Sequence, residues 1–247
     1  MTSLDLPSFA VVIPAYNEEA GIRAVAEAVD GALDRLPNRT AIVVVNDGSS
    51  DGTADELAQL EQTHPRVTGL VHPQNRGYGA ALRTGTFFAA DRNFHYVLFM
   101  DSDLTNDPKY LREFAERMRE GFDVIKASRY VEGGGVDGVP RGHAWVSRLG
   151  NDVARLLFRL PLHDCTNGFR AVRTGLLTSI DLEENGFALI MEELYRLRPL
   201  AQRYAEVPIL LTKRPVGLRP SSFSFGPIVM AKYLKYPLLS ALRRGRA

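Results

Sequence analysis

Two aspartates, Asp101 and Asp103, stand one residue apart directly after the apolar run Tyr96–Met100. The run predicts a buried strand, so the two carboxylates and the intervening Ser102 lie at its end, where a ligand can reach them. Like charges held this close repel each other unless a cation lies between them or one of them binds a proton. The pair is therefore a candidate site for a hard metal ion that holds phosphate. The alternative is a polar strand exit with an aspartate capping the helix that Pro108 begins.

Two further predicted strands also end in polar residues. The strand Phe9–Ile13 is followed by Pro14-Ala15-Tyr16-Asn17-Glu18, and the strand Ala41–Val45 is followed by Asn46-Asp47-Gly48-Ser49. Ligand sites in parallel sheets lie beyond the carboxyl ends of the strands. Three polar strand ends at one edge therefore favour a binding site over three unrelated turns. Asp47 either accepts hydrogen bonds from a base edge or a ribose, or belongs to a turn that leads into a helix.

Arginines supply candidate contacts to an anionic substrate. Arg129 follows the fifth predicted strand, where its planar guanidinium either binds a phosphate through two hydrogen bonds or forms a surface ion pair. The string Asp164–Arg170 places an acid, an amide and a base around a glycine. The loop Asn75-Arg76-Gly77 either faces a ligand or only enters a helix. Further candidates for contact with an anion are Arg148, Arg170 and Arg214.

Strand and helix patterns alternate along the first half of the chain. Segments with helical spacing separate the predicted strands, of which the fifth is Phe122–Ala127. Such alternation predicts an α/β fold with a mostly parallel central sheet flanked by helices. After Arg129 the alternation weakens. The pattern there predicts a glycine-rich loop at 132–138, a helix Trp145–Leu160 and a late strand Glu206–Leu211.

Composition excludes several classes of function. The 247 residues carry 30 lysines and arginines against 29 aspartates and glutamates, so no basic field indicates nucleic acid as a partner. The single cysteine, Cys165, rules out an intrachain disulfide and fits a reducing compartment such as the cytoplasm. The histidines show no paired spacing typical of zinc ligands. No apolar stretch approaches the roughly 18 to 20 residues of a membrane span.

The segment Pro227–Leu242 is predicted to form a helix with one apolar face. That face comprises Ile228, Ala231, Leu234, Leu238 and Leu242, with cationic neighbours at Lys232, Lys235, Arg243, Arg244 and Arg246. One interpretation is a helix at the surface of an anionic membrane, with its lysines reaching toward the head groups. The other is a helix packed on the domain or on a second copy in a homodimer. The chain is accordingly divided into residues 1–222 and a C-terminal helical segment, residues 223–247.

The order and spacing of several strings carry a family resemblance. From the N-terminus they are VVIPAYNEEAGI, VVVNDGSSDGT, NRGYGAALRTG, MDSDLTNDPKYL, ASRYVEGGGVDG, SRLGNDVARLL, DCTNGFRAVRTG, GFALIMEELYR and EVPILLTKR. From Val11 to about Ser222 the chain resembles glycosyltransferase family 2, and within it the dolichol- or polyprenol-phosphate mannosyltransferases. The resemblance implies the GT-A fold, which binds nucleotide-diphospho-sugars. It also implies inverting transfer of a mannose- or glucose-type hexose by a single in-line displacement.

The resemblance further implies roles for individual positions. Asp101 and Asp103 would form a D-x-D site for Mg²⁺ or Mn²⁺, which would bind the diphosphate of a GDP- or UDP-hexose. Other donor contacts would come from Pro14, Tyr16, Glu18, Asp47, Gly77, Ser102 and Arg129. The acceptor, a polyprenyl phosphate at a membrane surface, would meet Arg148, Asp164, Arg170 and Arg214. The catalytic group would comprise Asp103, Arg129, Asp164 and Glu192.

The kind of acceptor decides whether the reaction needs a base. A lipid phosphate already carries an anionic oxygen, whereas an alcohol must give its proton to a carboxylate such as Asp164 or Glu192. A family 2 enzyme that acts on a soluble alcohol, and a nucleotide-sugar-binding protein without turnover, remain the alternatives. The string departs from the family where Asn46 replaces an aspartate, and at 217–222, where a usual lysine is missing and Arg219 is the substitute cation.

Overall fold

The elements are defined in a computed structural model that describes residues 6–138, 141–214 and 226–242. The strands are β1 (Phe9–Ala15), β2 (Thr40–Asn46), β3 (Val67–Val71), β4 (Tyr96–Phe99), β5 (Val124–Ser128), β6 (Gly135–Val136), β7 (Arg170–Arg173), β8 (Tyr204–Pro208) and β9 (Leu210–Leu211). The helices are α1 (Ile22–Leu33), α2 (Thr53–Thr63), α3 (Tyr78–Asp91), α4 (Leu111–Arg119), α5 (Arg141–Phe158), α6 (Thr174–Thr178), α7 (Leu189–Leu197) and α8 (Pro227–Leu242). The predicted boundary at 222/223, Arg219 and the cluster Arg243, Arg244 and Arg246 lie outside the described residues.

Within the described ranges, the central sheet has the strand order β3-β2-β1-β4-β7-β5-β8. Neighbouring strands are parallel except for β7, which pairs antiparallel with both β4 and β5. The predicted α/β fold with a mostly parallel sheet flanked by helices is confirmed. The sequence pattern does not predict β7, because four residues with arginine at each end lack the apolar run of a buried strand.

Three predicted elements have other bounds in the structure. The fifth strand begins at Val124 and not at Phe122, and the helix predicted from Trp145 already begins at Arg141. The predicted late strand is divided into β8 and β9. Pro208, which has no amide hydrogen to donate, ends β8, and β9 then pairs with β6 as a separate two-stranded sheet.

Both faces of the central sheet are buried. Along β1, Phe9, Val11 and Ile13 belong to a hydrophobic cluster with residues of α1 and α4, whereas Ala10 and Val12 belong to a second cluster with residues of α3, α5 and α7. Each large apolar side chain buried in this way contributes roughly 1.5 to 3 kcal/mol. The burial on both sides explains why the strand sequences are continuous apolar runs.

Helix α3 approaches the sheet closely at Gly85. A Cβ atom at this position would lie 2.3 Å from Cγ1 of Val12 in β1, so only glycine fits without a shift of the helix. The N-terminal residue of α3, Tyr78, reaches the edge where β4 ends, since its hydroxyl lies 3.5 Å from Oδ1 of Asp101. The edge predicted to hold the site is therefore formed by strand ends and by the start of α3.

Helix α8 packs on the domain through its tyrosines. Tyr233 and Tyr236 are buried in the cluster that contains Phe158 of α5. Leu238 and Leu242 of the predicted apolar face are instead 49% and 70% exposed. The helix therefore packs on the domain through a face other than the apolar one. Among the residues that the structure describes, no helix combines the length and the apolar character needed to cross a bilayer.

Candidate active site

The two aspartates that follow β4 have different surroundings. Asp103 accepts hydrogen bonds from the Thr105 amide at 3.0 Å and from the Thr105 hydroxyl at 2.7 Å, which fix it in a turn. Desolvation, together with the negative charge of Asp103, raises the pKa of Asp101 to about 7. The helix-capping role belongs to neither, because Asp107 accepts the hydrogen bond from the Lys109 amide at 2.9 Å. The predicted capping aspartate is therefore Asp107, and the ligand role of the pair stays a prediction.

Arg214 joins the acidic pair to the end of β1. Its Nη2 donates to Oε1 of Glu18 at 3.0 Å, and its Nε lies 3.3 Å from Oδ2 of Asp103. Desolvation raises the pKa of Glu18, and the charge of Arg214 opposes that shift. The neighbouring Ser102 side chain also acts to lower the pKa of Glu18. The structure therefore brings together four predicted site residues from two strand ends and from the segment after β9.

Asp47 holds the loop that leads into α3. Its carboxylate accepts hydrogen bonds from Nδ1 of His72 at 2.6 Å, from the Arg76 amide at 2.9 Å and from the Gly77 amide at 2.7 Å. Gly77 has a φ of 95°, and a side chain there would meet the Asn185 carbonyl. The contact of Asp47 with a base or ribose stays a prediction, because its oxygens serve the loop in this structure.

The ends of β1 and β2 are fastened to each other. The Asn17 amide donates to the Ser49 hydroxyl at 2.9 Å, and the Ser50 amide donates to the Asn17 side chain at 2.8 Å. Asn17 adopts a left-handed conformation with φ 55°, which asparagine tolerates better than most residues. Pro14 and Tyr16 lie partly exposed beside this junction. They are placed at the same strand ends as Asp47 and Glu18.

Asp164 forms a buried ion pair with Arg129. Its oxygens accept from Nε of Arg129 at 2.6 Å and from Nη2 at 2.9 Å, and the Asp164 side chain has no exposed surface. Desolvation alone would raise the pKa of Asp164, but the Arg129 charge and hydrogen bonds lower it. This geometry corrects the expectation of a general base, because a carboxylate with a lowered pKa and a bound guanidinium is a poor proton acceptor.

Two other predicted acceptor residues also lie in buried networks. Arg170, fully buried, donates to both oxygens of Glu193 at 2.6 and 2.7 Å and to the Gly168 carbonyl at 2.8 Å. Glu192 accepts from the backbone amides at 183 and 184, at 2.9 and 2.8 Å, and from Nε of Arg196 at 2.9 Å. Both side chains are fully buried and have their charges paired within the protein, so their contact with an acceptor stays a prediction.

A cleft of about 570 Å³ opens beside the Arg129–Asp164 pair. Its walls come from the glycine-rich loop and from α5: Arg129, Tyr130, Gly134, Gly135, Val136, Trp145, Arg148, Leu149 and Asp152. The ring of Tyr130 lies near both arginines, with its centroid 5.0 Å from the guanidinium carbon of Arg129 and 6.0 Å from that of Arg148. The cleft therefore combines two arginines and one aspartate, Asp152, with apolar walls.

The sequence patterns do not single out two tyrosines of the site. Tyr78 lies against Asp101, and Tyr233 lies where the charges of both Asp101 and Arg129 act on it. The sequence around Tyr78 could have identified it, since it stands between two glycines after a predicted strand. Tyr233 had none, because only the packing of α8 on the domain brings it to the site.

The residues present fit a hard divalent cation that shares its ligands with a diphosphate. Asp101 and Asp103 offer carboxylate oxygens, which Mg²⁺ and Mn²⁺ prefer. Burial and the neighbouring charge of Asp103 raise the pKa of Asp101, and a bound cation would favour its charged form. Among the described side chains, no group of three or more His, Cys, Asp or Glu residues is arranged to hold a metal. Further ligands would have to come from substrate oxygens or water.

Sequence comparison matches the chain to a family model. The model described as "Glycosyl transferase family 2" matches residues 10–180. These residues contain β1 to β5, the acidic pair, the Arg129–Asp164 ion pair and the cleft residues.

Two curated relatives each show 31% sequence identity. Polyprenol monophosphomannose synthase from Mycolicibacterium smegmatis aligns over 242 residues, covering 96% of this chain and 89% of its own. Undecaprenyl-phosphate mannosyltransferase from Micrococcus luteus aligns over 209 residues, covering 83% of this chain and 84% of its own.

Among solved structures, similar folds occur at lower identity. Glucosyl-3-phosphoglycerate synthase from Mycobacterium tuberculosis, in complex with Mn²⁺, uridine diphosphate and phosphoglyceric acid, has a TM-score of 0.66 and 20% identity. The match covers 97% of this chain and 78% of that one. TarS from S. aureus in complex with UDP-GlcNAc has a TM-score of 0.64 and 20% identity, and covers 94% of this chain and 66% of that one.

Proposed function

The chain belongs to glycosyl transferase family 2 and has the GT-A fold, and from that premise we propose that it transfers a hexose to a polyprenyl phosphate. The donor is a nucleoside diphosphate sugar, and the hexose is of the mannose type, as the names of the two 31% identical relatives suggest. The observation that carries the proposal is the cleft, because arginines and apolar walls lie in it together. Tyr233, on which the charges of both Arg129 and Asp101 act, connects the cleft with the acidic strand end.

The acidic pair serves the donor. A nucleoside diphosphate leaves easily only when its negative charge is neutralised, which is what Mg²⁺ or Mn²⁺ supplies when bound to Asp101 and Asp103. Thr105 fixes Asp103 through two hydrogen bonds, so the ligand geometry is set before the donor arrives. Pro14, Tyr16 and the loop that Asp47 holds form the side of the site assigned to the nucleoside.

The cleft serves the acceptor. Arg129, held by Asp164, and the exposed Arg148 provide cationic groups for a phosphate, while Trp145 and Leu149 provide apolar surface for the first part of a lipid chain. A phosphate oxygen is already anionic and attacks the anomeric carbon without losing a proton to the protein. The lowered pKa of Asp164 agrees with a reaction that needs no general base.

The exposed apolar side chains of α5 and α8 suit contact with a membrane surface. Trp145, Leu149 and Leu156 are 76%, 61% and 73% exposed, and Leu242 of α8 is 70% exposed. Helix α8 contacts α5, and its exposed lysines, of which Lys235 also pairs with Glu184 at 3.1 Å, would supply positive charge for anionic head groups. We therefore place the protein peripherally at the cytoplasmic face of a bilayer, where a polyprenyl phosphate is presented.

A donor and acceptor screen tests the transfer. The purified full chain is given GDP-mannose or UDP-glucose with Mg²⁺ or Mn²⁺, and release of the nucleoside diphosphate is measured with and without a polyprenyl phosphate. Release that requires the lipid phosphate is expected. Release with a soluble alcohol alone would instead assign the chain to the soluble-acceptor alternative, and no release with any donor would refute catalysis.

A matched pair of variants tests the cleft. Arg148→Gln removes a cation that lines the cleft, whereas Arg155→Gln removes an exposed arginine of the same helix outside its lining. The first variant is expected to raise the KM for the lipid phosphate about tenfold, which corresponds to about 1.4 kcal/mol of lost binding. The second should leave it unchanged. Equal effects of the two changes would contradict the assignment.

Vesicle sedimentation tests the membrane contact. Leu156→Ser is expected to weaken binding to vesicles that contain phosphatidylglycerol, whereas Phe87→Ser, at a residue 64% exposed on α3, is expected not to. Light scattering at several protein concentrations tests the alternative, in which a second copy of the chain packs on this face. A dimer that Leu156→Ser dissociates, together with no vesicle binding by the unchanged protein, would show that a second copy covers this face.

A further inference from the structure

One cation of the protein already lies within the acidic donor site. The guanidinium of Arg214 contacts Glu18 at 3.0 Å and Asp103 at 3.3 Å, and the side chains of all three are largely buried, at 18%, 8% and 15% exposed. Glu18 follows β1, and Asp103 follows β4. Arg214 follows β9 and thus belongs to neither of the strand ends that it connects.

The contacts of Arg214 answer a local excess of negative charge. Glu18 and Asp103 carry like charges at neighbouring strand ends, and Asp101 lies two residues before Asp103. Arg214 is the cation in contact with this group, at 3.0 Å from Glu18 and 3.3 Å from Asp103. Without a cation, these carboxylates would repel one another in a poorly solvated place. The guanidinium therefore satisfies the same electrostatic need that a divalent metal ion satisfies.

A guanidinium and a divalent cation compete for Asp103. Oδ1 of Asp103 is engaged by Thr105, and Oδ2 faces Arg214. A metal bound to Oδ2 would lie within a few ångströms of the guanidinium, and two cations at that separation repel strongly where solvent screening is weak. Arg214 must therefore leave Asp103 when the metal binds, and a bound diphosphate offers it a new anionic partner.

We propose that Arg214 is an internal counter-cation of the donor site, which holds Glu18 and Asp103 until a metal–nucleotide complex displaces it onto the diphosphate. The inference deepens the proposed function, because it rests on the donor role of the acidic pair. The metal alone competes with Arg214 for Asp103. When a nucleotide is bound together with the metal, its diphosphate offers Arg214 another anionic partner. Metal and nucleotide consequently bind with positive coupling.

Mn²⁺ titration followed by electron paramagnetic resonance tests this exchange without any turnover. The full chain, Arg214→Gln and Arg214→Lys are titrated with Mn²⁺ alone and then with GDP or UDP present. Arg173→Gln is the matched control, because it removes an arginine–aspartate ion pair, with Asp123 at 2.9 Å, away from the site. Thermal unfolding in EDTA reports whether each variant is folded.

The proposal predicts opposite effects in the two titrations. Arg214→Gln should bind Mn²⁺ alone about tenfold more tightly than the unchanged protein, and the nucleotide should then tighten Mn²⁺ binding by a correspondingly smaller factor. Arg214→Lys keeps a cation but loses the planar guanidinium, so its affinity for Mn²⁺ alone should lie between those of the unchanged protein and Arg214→Gln. Arg173→Gln should bind Mn²⁺ like the unchanged protein. Unchanged or weaker binding of Mn²⁺ alone by Arg214→Gln would overturn the proposal.

The result is distinct from the fate of the proposed transfer reaction. If the chain binds Mn²⁺ as described but releases no nucleoside diphosphate in the acceptor screen, the proposed transfer reaction is refuted, whereas the counter-cation role of Arg214 is retained. If Asp103→Asn binds Mn²⁺ as well as the unchanged protein in the presence of a nucleotide, the donor site itself is wrong, and both proposals fail with it.

Discussion

Replacement of Asp164 by asparagine should destabilise the fold and not remove a catalytic base. Asp164 has no exposed surface, and its carboxylate accepts two charged hydrogen bonds from Arg129 at 2.6 and 2.9 Å and one from the Asn167 amide at 3.1 Å. An asparagine keeps the shape but directs an NH₂ group toward the guanidinium. Arg129, only 13% exposed, then stays buried without its counter-charge.

The structure sets the size of this effect. Breaking a buried ion pair by removing one partner costs about 3 to 5 kcal/mol, and water that reaches the exposed 13% of the Arg129 side chain favours the lower end. For a chain of this length, 3 kcal/mol corresponds to a fall in Tm of about 6 to 12 °C. Because the pKa of Asp164 is lowered in the folded protein, this stabilisation is fully present above the ordinary value of 3.8 and is lost as the pH falls below it.

Urea denaturation at pH 7 and at a pH well below 3.8 measures the difference directly. The matched control is Asp91→Asn, whose carboxylate is 84% exposed and 3.8 Å from Arg92, and which should unfold like the unchanged protein. An Asp164→Asn protein with unchanged stability and no transfer activity would refute the reasoning. That pair of results is what a general base, and not a structural ion pair, would give.

Three further predictions follow from the site and the core. Asp103→Ala should reduce transfer at least about a hundredfold, because the leaving diphosphate loses a metal ligand, while thermal unfolding changes little; full turnover in metal-free buffer would contradict it. Lys126→Met should abolish a rise in stability between pH 8 and 10.5: desolvation lowers the pKa of Lys126 from 10.5 to about 8, so the unfolded chain binds more protons in that range, worth up to about 3 kcal/mol. Denaturation curves at pH 7.5 and 10 measure the change in unfolding free energy with pH. The same change in the variant and in the unchanged protein would refute this prediction. Gly85→Ala should cost about 1 to 3 kcal/mol in urea denaturation, because the new methyl group meets Val12 in β1; an unchanged midpoint would show that α3 shifts freely.

The edge of the sheet that carries the site was predictable from sequence. Apolar runs ended by polar strings mark the strand ends, and the rule for parallel sheets places those ends together. Glu18 and Asp103 consequently meet through Arg214, as the convergence of their strands predicts. Periodicity and strand ends depend on residues close together in the chain, so they can be recognised in a single sequence.

The partners of the charged residues were not predictable in the same way. A string such as Asp164–Arg170 shows which groups are near in sequence, but Asp164 pairs with Arg129 and Arg170 pairs with Glu193. Both pairings depend on β7, a strand too short and too charged to be recognised from its pattern. The sequence therefore identifies residues with reactive or charged side chains, whereas burial in the fold determines which of them are available to a ligand.

The C-terminal helix shows the same limit. Its aliphatic residues predict one buried face, but Tyr233 and Tyr236 make the contact with the domain. Tyrosine can be buried as effectively as leucine when its hydroxyl finds a partner, and that of Tyr236 hydrogen-bonds Glu184 at 2.9 Å. The aliphatic face is left on the surface, where the membrane proposal uses it.

The central claim is that the acidic strand end holds the leaving group while the arginine-lined cleft takes a lipid phosphate. The most direct measurement is the transfer of labelled hexose from its nucleoside diphosphate donor to a polyprenyl phosphate, followed by solvent extraction. With Mg²⁺ or Mn²⁺ present, the label should enter the lipid fraction, and it should not do so with EDTA or with Asp103→Ala. Label that enters only water-soluble products, or that reaches the lipid equally well without a divalent metal, would contradict the account.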